Sequence, residues 1–409
     1  MTEKFLKEYK VYLTPLTPVH IGNGDDLIPT NYYIENGFLY KFDPKDLVLP
    51  NDKRENLLKL AKTEDPRGMY RFIQNNASSF FKAHVNSIFK VDREIEKKYK
   101  EYLDPSAGSI TDTKFGNKNE QKKKLEISRT CNTFINNKNQ PYIPGSSLKG
   151  AIHTAFIDFN LSEDDRKKNF SPKTDLDKTF LNADSFDKSP MRFIKVSDFM
   201  PNNEAYTRIV MMNRTRNDTG QKNDTRKRNN DIPQMVEVID FGQYRAFKGT
   251  ITVQNDKAIT KDVICDRLYD FYYAKIFNLI NNYYDNDEFF YLQTSGDFLN
   301  KYVDLDEKIN KDEAIYYKSC FVRLGKNQGK QSVTLDNKNI EAPKTYNIAS
   351  VDTKKGIMKV PFGLCLLEIE PEGDNEPLMD YCDYMQSIIP KFNLDNEYKE
   401  IAKAKEKQK

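Results

Sequence analysis

YIPGSSLKGAIHTAF, Tyr142 to Phe156, reads as the end of a strand, a tight turn and the start of a helix. With Ser147 as the approximate N-cap, Leu148, Ala151, Ile152, Ala155, Phe156 and Phe159 recur with helical spacing and make one apolar face. Lys149, Gly150, His153 and Thr154 lie off that face. A glycine inside a helix costs about 1 kcal/mol relative to alanine. Gly150 does nothing for the core, so close approach by another group is a reason for it. A helix N-terminus offers unbonded N–H groups and partial positive charge. Ser146 and Ser147 add hydroxyls and Lys149 adds a full charge, so the stretch reads as an anion site suited to phosphate. A plain capped helix with an incidental lysine explains the same letters.

Upstream, EYKVYLTPLTPVHI (8–21) alternates like a strand and runs into GNGDD. YYIENGFLYKF (32–42) is two short strands around an Asn36-Gly37 turn. Asp43 and Pro44 open a helix, and the spacing predicts helix through 54–103. Residues 104–140 are polar and poorly periodic, an insertion or mobile loop, and 161–190 read as a linker. Downstream, 192–199, 205–214 and 235–254 are strands, and 258–284 is an amphipathic helix rich in Tyr and Phe. Residues 316–325 are a strand before a glycine-lysine loop, 361–370 a buried strand, and the last residues, IAKAKEKQK, a frayed tail. Strands and helices thus mix twice over, an α+β pattern of two small sheets with helices on one face of each. At 409 residues two domains are expected: 1–160 with a helical insertion, the 161–190 linker, and 191–409.

Composition narrows the function. The net charge is +3 with 38% hydrophobic residues, a globular chain whose total charge decides nothing about nucleic acid. Five cysteines without a C-x-x-C pair read as buried reduced thiols rather than disulfides or a zinc site. No export signal or apolar span occurs, so a cytoplasmic protein without membrane partners is expected. The only histidines are His20, His84 and His153, which limits metal and general-base chemistry. No His/Cys/carboxylate cluster has ligand spacing, so neither a metal nor a cofactor is expected.

Ser146 to Lys149 fits S-x-x-K, the acyl-enzyme motif of penicillin-binding proteins, but the S-D-N and K-T-G partners are absent. GKNQGKQS (325–332) fails as a P-loop: one residue is missing between the glycines, and Gln331 stands where Ser or Thr is needed. Its backbone can still cradle phosphate, through Lys326, Lys330 and the loop N–H groups; an ordinary hairpin loop is the bland reading. Arg214 to Arg228 carries six positive side chains, Arg214 and Arg216 among them, against Asp218 and Asp224. Lys122 to Lys124 is a second basic island. Tyr244-Arg245-Ala246-Phe247-Lys248 interleaves aromatic and basic groups as RNA binders do. Each is also what a solvated surface looks like.

Three of these stretches together, PVHIGNGDDL (18–27), YIPGSSLKGAIHTAF and FVRLGKNQGK (321–330), resemble the RAMP superfamily of CRISPR proteins, with PGSSLKGA the most specific match. His153 stands where many relatives carry arginine. The resemblance implies two RRM-like (ferredoxin-like) domains with helical and loop insertions. Length and the P-V-H-I-G-N-G start look most like the type III-A (Csm) subunit that caps the crRNA 3′ end. That implies a non-catalytic RNA-binding role beside the backbone RAMP subunits, the small helical subunit and the large polymerase-like subunit, with host nucleases recruited for crRNA maturation. The expected RNA contacts are His20, Gly22, Asn23, Gly24, Ser146, Ser147, Lys149, Gly150, His153, Arg214, Arg216, Arg245, Lys248, Lys326 and Lys330. Two alternatives stay open: a RAMP endoribonuclease using His20 or His153 as general base with Lys149 on the leaving phosphate, and a subunit holding the crRNA 5′ tag.

Overall fold

A computed structural model describes residues 5–62, 66–104, 131–134, 136–137, 140–168, 170, 174–216, 233–254, 259–284, 293–312, 318–329, 332, 335, 345–391 and 394–408. The strands are β1 (Leu6–Pro15), β2 (Gly22–Leu27), β3 (Tyr32–Glu35), β4 (Phe38–Phe42), β5 (Val85–Val91), β6 (Cys131–Phe134), β7 (Asn136–Asn137), β8 (Gln140–Pro141), β9 (Ile194–Val196), β10 (Met200–Pro201), β11 (Thr207–Arg216), β12 (Gln234–Ile239), β13 (Phe247–Gln254), β14 (Ser319–Arg323), β15 (Thr345–Thr353), β16 (Gly356–Pro361) and β17 (Leu364–Ile369). The helices are α1 (Asn51–Lys62), α2 (Pro66–Asn76), α3 (Arg93–Leu103), α4 (Gly145–Phe159), α5 (Leu176–Phe180), α6 (Lys261–Tyr284), α7 (Gln293–Lys311), α8 (Glu376–Ile388) and α9 (Asp395–Gln408). The α+β class stands. No helix among the described residues is long and apolar enough to cross a membrane.

Two sheets organise the chain. The first runs β10-β13-β1-β17-β14, with β9 beside β13, and its pairs are antiparallel. The second runs β2-β6-β12-β11-β5-β4-β3, with the β15–β16 hairpin attached to β11. Alternation explains the exposed part of the first sheet: Phe247, Gly249, Ile251 and Val253 of β13 face in, while Lys248 between them is exposed. The strands β14 and β17 are buried at every position, as strands covered on both faces are. One continuous core joins the sheets, with Val11 and Leu367 from the first, Val238 and Val360 from the second, and Leu148, Ile264, Leu305 and Met385 from four helices.

The chain does not divide at 161–190. Residues 6–15 pair with 247–254 and 364–369 in the first sheet, and residues 85–91 pair with β11 in the second, so both sheets interleave early and late strands. The expected linker buries Leu161, Phe180, Leu181 and Ala183 in the shared core, because its scattered apolar residues cover the flank of α4. The predicted helix over 54–103 is interrupted by β5, which supplies the partner that β4 needs. The tail is α9 rather than frayed chain: Tyr40 donates to Glu397 Oε2 at 2.6 Å and Ile401 is buried. The Asn36-Gly37 turn is as expected, with both residues at positive φ. All five cysteines are buried and none forms a disulfide.

Candidate nucleic-acid interface

Chain crossing from β1 to β2 is the centre of the site. Thr17 Oγ1 accepts from Leu364 N, and Val19 O accepts from Ile239 N, so residues 16–21 are tied to both sheets. His20 O accepts from Lys326 N at 2.7 Å, which places the N-terminal motif directly against the glycine loop after β14. Gly325 makes this approach possible. Its φ is +87°, and a Cβ there would press into His20 O, inside the 3.0 Å that real Cβ atoms keep. Gly363 meets Leu324 O in the same way.

His20 does not face outward. It is 1% exposed, and its Nδ1 lies 2.7 Å from Glu237 O, so that nitrogen carries the proton and donates to the carbonyl. Burial lowers its pKa, against the opposing carbonyl contact, which keeps the ring neutral. Its side chain is thus a scaffold group, contrary to the contact expected from sequence, and the same burial removes it as a general base. Glu237 holds the other side: its Oε2 accepts from Phe134 N at 2.9 Å, and burial raises its pKa. Gly22, Asn23 and Gly24 are exposed on the edge strand β2, where Asn23 Oδ1 accepts from Thr133 Oγ1 at 2.6 Å.

The glycine loop is pinned from below by Arg323, which sequence reading passed over. Arg323 is fully buried at the end of β14, donating to Phe362 O at 2.7 Å and to Ser332 Oγ. Burial lowers its pKa to about 10. Above it Lys326 is exposed, and Asn327 Oδ1 accepts from Asn347 Nδ2 at 3.2 Å. Asn347 lies opposite Arg214 across the β11–β15 pair, so exposed Arg214 neighbours the loop through one cross-strand step. Arg216 ends the same strand, but its side chain, like Lys330 and all of 217–232, lies outside what the structure describes, as does Lys122 to Lys124.

Helix α4 begins at Gly145 rather than after Ser147, with Pro144 as N-cap. Gly145 N donates to Asp198 Oδ1 at 2.8 Å, and a Cβ at Gly145 would clash with Val196 O and Ser197 O. A carboxylate of the chain itself therefore occupies the first helix donor, which corrects the reading of this end as an open phosphate site. Ser146 is exposed and Ser147 and Lys149 half-buried. Gly150 is exposed, with open space where a Cβ would project. His153 Nε2 donates to Asp177 Oδ1 at 2.6 Å, a half-exposed pair between α4 and α5.

Arg245 is also internal in its chemistry. At φ 46° it donates to both Glu368 oxygens at 3.0 and 2.9 Å and to Gly373 O at 2.9 Å, and its guanidinium lies over Tyr12 and Tyr244. The sequence pattern of alternating aromatic and basic residues reflects that stack. Lys248, two strand positions beyond Ala246, is exposed beside Tyr12 on the open face of the first sheet.

With glycine loop, capped motif helix and two interleaved sheets in place, the comparisons agree on a class. The RAMP superfamily profile matches residues 12–288, more than half of the chain, and the chain belongs to that superfamily. Among characterised proteins it is similar to the CRISPR system protein Csm5 of Methanocaldococcus jannaschii, 28% identical over 328 residues that cover 74% of this chain and 68% of the relative. The crystal structure of T. onnurineus Csm5 has the same fold at 16% identity, with a TM-score of 0.50 over 86% of this chain and 99% of that one. A chain from a cryo-EM structure of a Csm-crRNA-target RNA ternary complex of a type III-A system aligns at 18% identity and a TM-score of 0.41, over 88% of this chain and 100% of that one.

Proposed function

We propose that this chain is a non-catalytic crRNA-binding subunit of a type III-A (Csm) effector complex, working in the cytoplasm and capping the crRNA 3′ end. The observation that carries it is the similarity to Csm5 across 74% of the chain. Its partners are then crRNA, the backbone RAMP subunits, the small helical subunit and the large polymerase-like subunit, with host nucleases trimming the RNA. The two RRM-like units of this reading correspond to the two sheets, which interleave along the chain. The RNA-facing groups are Gly22, Asn23, Gly24, Ser146, Ser147, Lys149, Gly150, Arg214, Arg216, Lys248, Lys326 and Lys330, while His20 and Arg245 hold the scaffold. Exposed Lys326 and Arg214 beside a glycine loop supply charge for a phosphodiester chain.

The test is purification of the complex with wild-type protein and with Lys149→Ala/Lys326→Ala. Wild type retains tagged crRNA. The variant retains less, and its affinity falls less steeply with salt, by about 0.7 in log–log slope per phosphate contact removed. Equal retention and equal slope refute the RNA-facing assignment.

A second reading has one observation in its favour. The His153–Asp177 pair is oriented as a general base and its carboxylate partner would be, on the helix that carries Lys149. Precursor RNA cleavage by the isolated chain, lost in His153→Ala, would establish it. No cleavage by the wild type leaves the non-catalytic reading.

A further inference from the structure

Helix α6 carries a feature that neither RNA binding nor the core uses. Tyr269, Tyr273 and Phe277 recur at every fourth position and stack on one another, with ring centroids 5.0 and 6.4 Å apart and planes within 24° and 17°. They point away from the core, which takes Ile264, Leu268, Phe271, Tyr272 and Ile276. Tyr273 is 39% exposed and Phe277 55%. Scattered single apolar residues on a surface need no explanation, but an ordered aromatic ladder on a regular helix does. Aromatic side chains locked by their neighbours lose little entropy on binding and are the commonest anchors of protein interfaces.

Charge decides the kind of partner. The same face continues toward the helix N-terminus as Asp262, Asp266 and Asp270, all exposed. Of the nearby helix cations, Lys275 lies over Phe271, while Arg267 lies over Phe159 and pairs with Asp270 at 3.9 Å. Three carboxylates against one guanidinium leave the face beside the ladder net negative, so bases stacking on Tyr273 would bring their phosphates into a repulsive field. A second copy of this chain would bring the same acids and no basic rim to pair with them.

We propose that the outward face of α6 docks a protein surface that is apolar at its centre and rimmed by lysine or arginine. This rests on the complex-subunit reading above: the partner is a neighbouring subunit, and the RNA-facing loops lie on other elements. Phe277 and Tyr273 enter the apolar centre, and the aspartates pair with the basic rim and speed encounter.

The experiment co-expresses the effector complex with wild-type chain, Tyr273→Ala/Phe277→Ala, or Asp266→Lys/Asp270→Lys. Native mass spectrometry reads the occupancy of this chain in the complex. Melting temperature and RNA affinity of each isolated chain are measured beside it. The aromatic variant is expected to dock roughly thirty-fold more weakly, the loss typical of two interface anchors, while its melting temperature and RNA affinity match wild type. The charge reversal lowers occupancy too, most at low salt. Wild-type occupancy of the aromatic variant overturns the inference. So does a loss of RNA affinity by its isolated chain, which would make the ladder a base-stacking surface. A wild-type dimer that the variant abolishes overturns it as well. If the wild-type chain joins no complex, the subunit reading falls and the inference with it; if it joins and the variants join equally, only the inference falls.

Discussion

Replacing Gly325 by alanine tests whether the meeting of the two loops is the keystone of the site. Two glycines in that loop have nearly the same backbone, φ +87° at Gly325 and +89° at Gly329, but different surroundings. Alanine in the left-handed region costs roughly 1–2 kcal/mol and regains about 0.4–1 kcal/mol by restricting the unfolded chain. Gly329→Ala has nothing within 4 Å of its new Cβ, so it should cost about 1 kcal/mol or less. Gly325→Ala bears the same strain and also presses into His20 O. The loop must retreat, and the bond from Lys326 N to His20 O is lost. Orphaning a buried backbone group adds about 1–3 kcal/mol, so the total is about 3 kcal/mol. Urea unfolding of both variants, with equal m-values, reads the difference directly. RNA affinity at a temperature where both are folded reads whether the loop has moved. Equal destabilisation of the two variants would refute the close approach as the reason for glycine at 325.

Three further outcomes follow from the geometry. Asp198→Asn keeps an acceptor for Gly145 N but removes the charge at the start of α4; stability should fall by no more than about 1 kcal/mol, and RNA affinity should rise or hold, whereas a clear loss of affinity would show that Asp198 positions the RNA contacts. Arg245→Lys cannot reproduce the paired bonds to Glu368 and should cost about 1–3 kcal/mol in urea unfolding, with RNA affinity of the folded protein unchanged. The third outcome concerns pH. The folded pKa of His20 lies below 6.5, so on acidification the unfolded chain takes up a proton first and stability falls below about pH 6.5. Asp92 has the opposite sign: burial raises its pKa from 3.8 to about 7, so its contribution worsens as pH rises through that window. Melting curves from pH 5 to 8 should therefore flatten on the acid side in His20→Gln and improve near neutrality in Asp92→Asn; parallel curves for wild type and both variants contradict these assignments.

Local chemistry was legible in the sequence wherever one short stretch determines its own conformation. Asn36-Gly37 can only turn, the apolar spacing of α6 can only be a helix, and five cysteines with no C-x-x-C pair read as buried reduced thiols. The motif glycines were visible too, but their reasons were not. Gly325 answers to a carbonyl 305 positions away, and Gly145 to the carbonyls of 196 and 197. The same distance hid His20, whose partner Glu237 is on β12, and Arg245, whose alternation with tyrosines records an internal stack rather than an exposed one. Arg323 was passed over because a basic residue in a short strand reads as solvated, and only burial on both faces of β14 shows that it anchors the loop. The two-domain division failed for a related reason: letter patterns show where strands are, not which strands pair.

Strand β1 sits in the middle of the first sheet, and one of its neighbours is β17, whose Ile369 pairs with Val11. During synthesis that partner appears about 350 residues after β1 leaves the ribosome, about 20–70 s later at ordinary elongation rates. Before β13 is made both edges of this apolar strand, Val11 and Leu13 included, are unpaired, and until β17 follows one edge still is. The chain therefore commits late: its N-terminal motif is held in place only once β17 has been made. A ribosome stalled before β17 leaves a product that cannot close its first sheet and that chaperones and proteases can distinguish from the finished subunit.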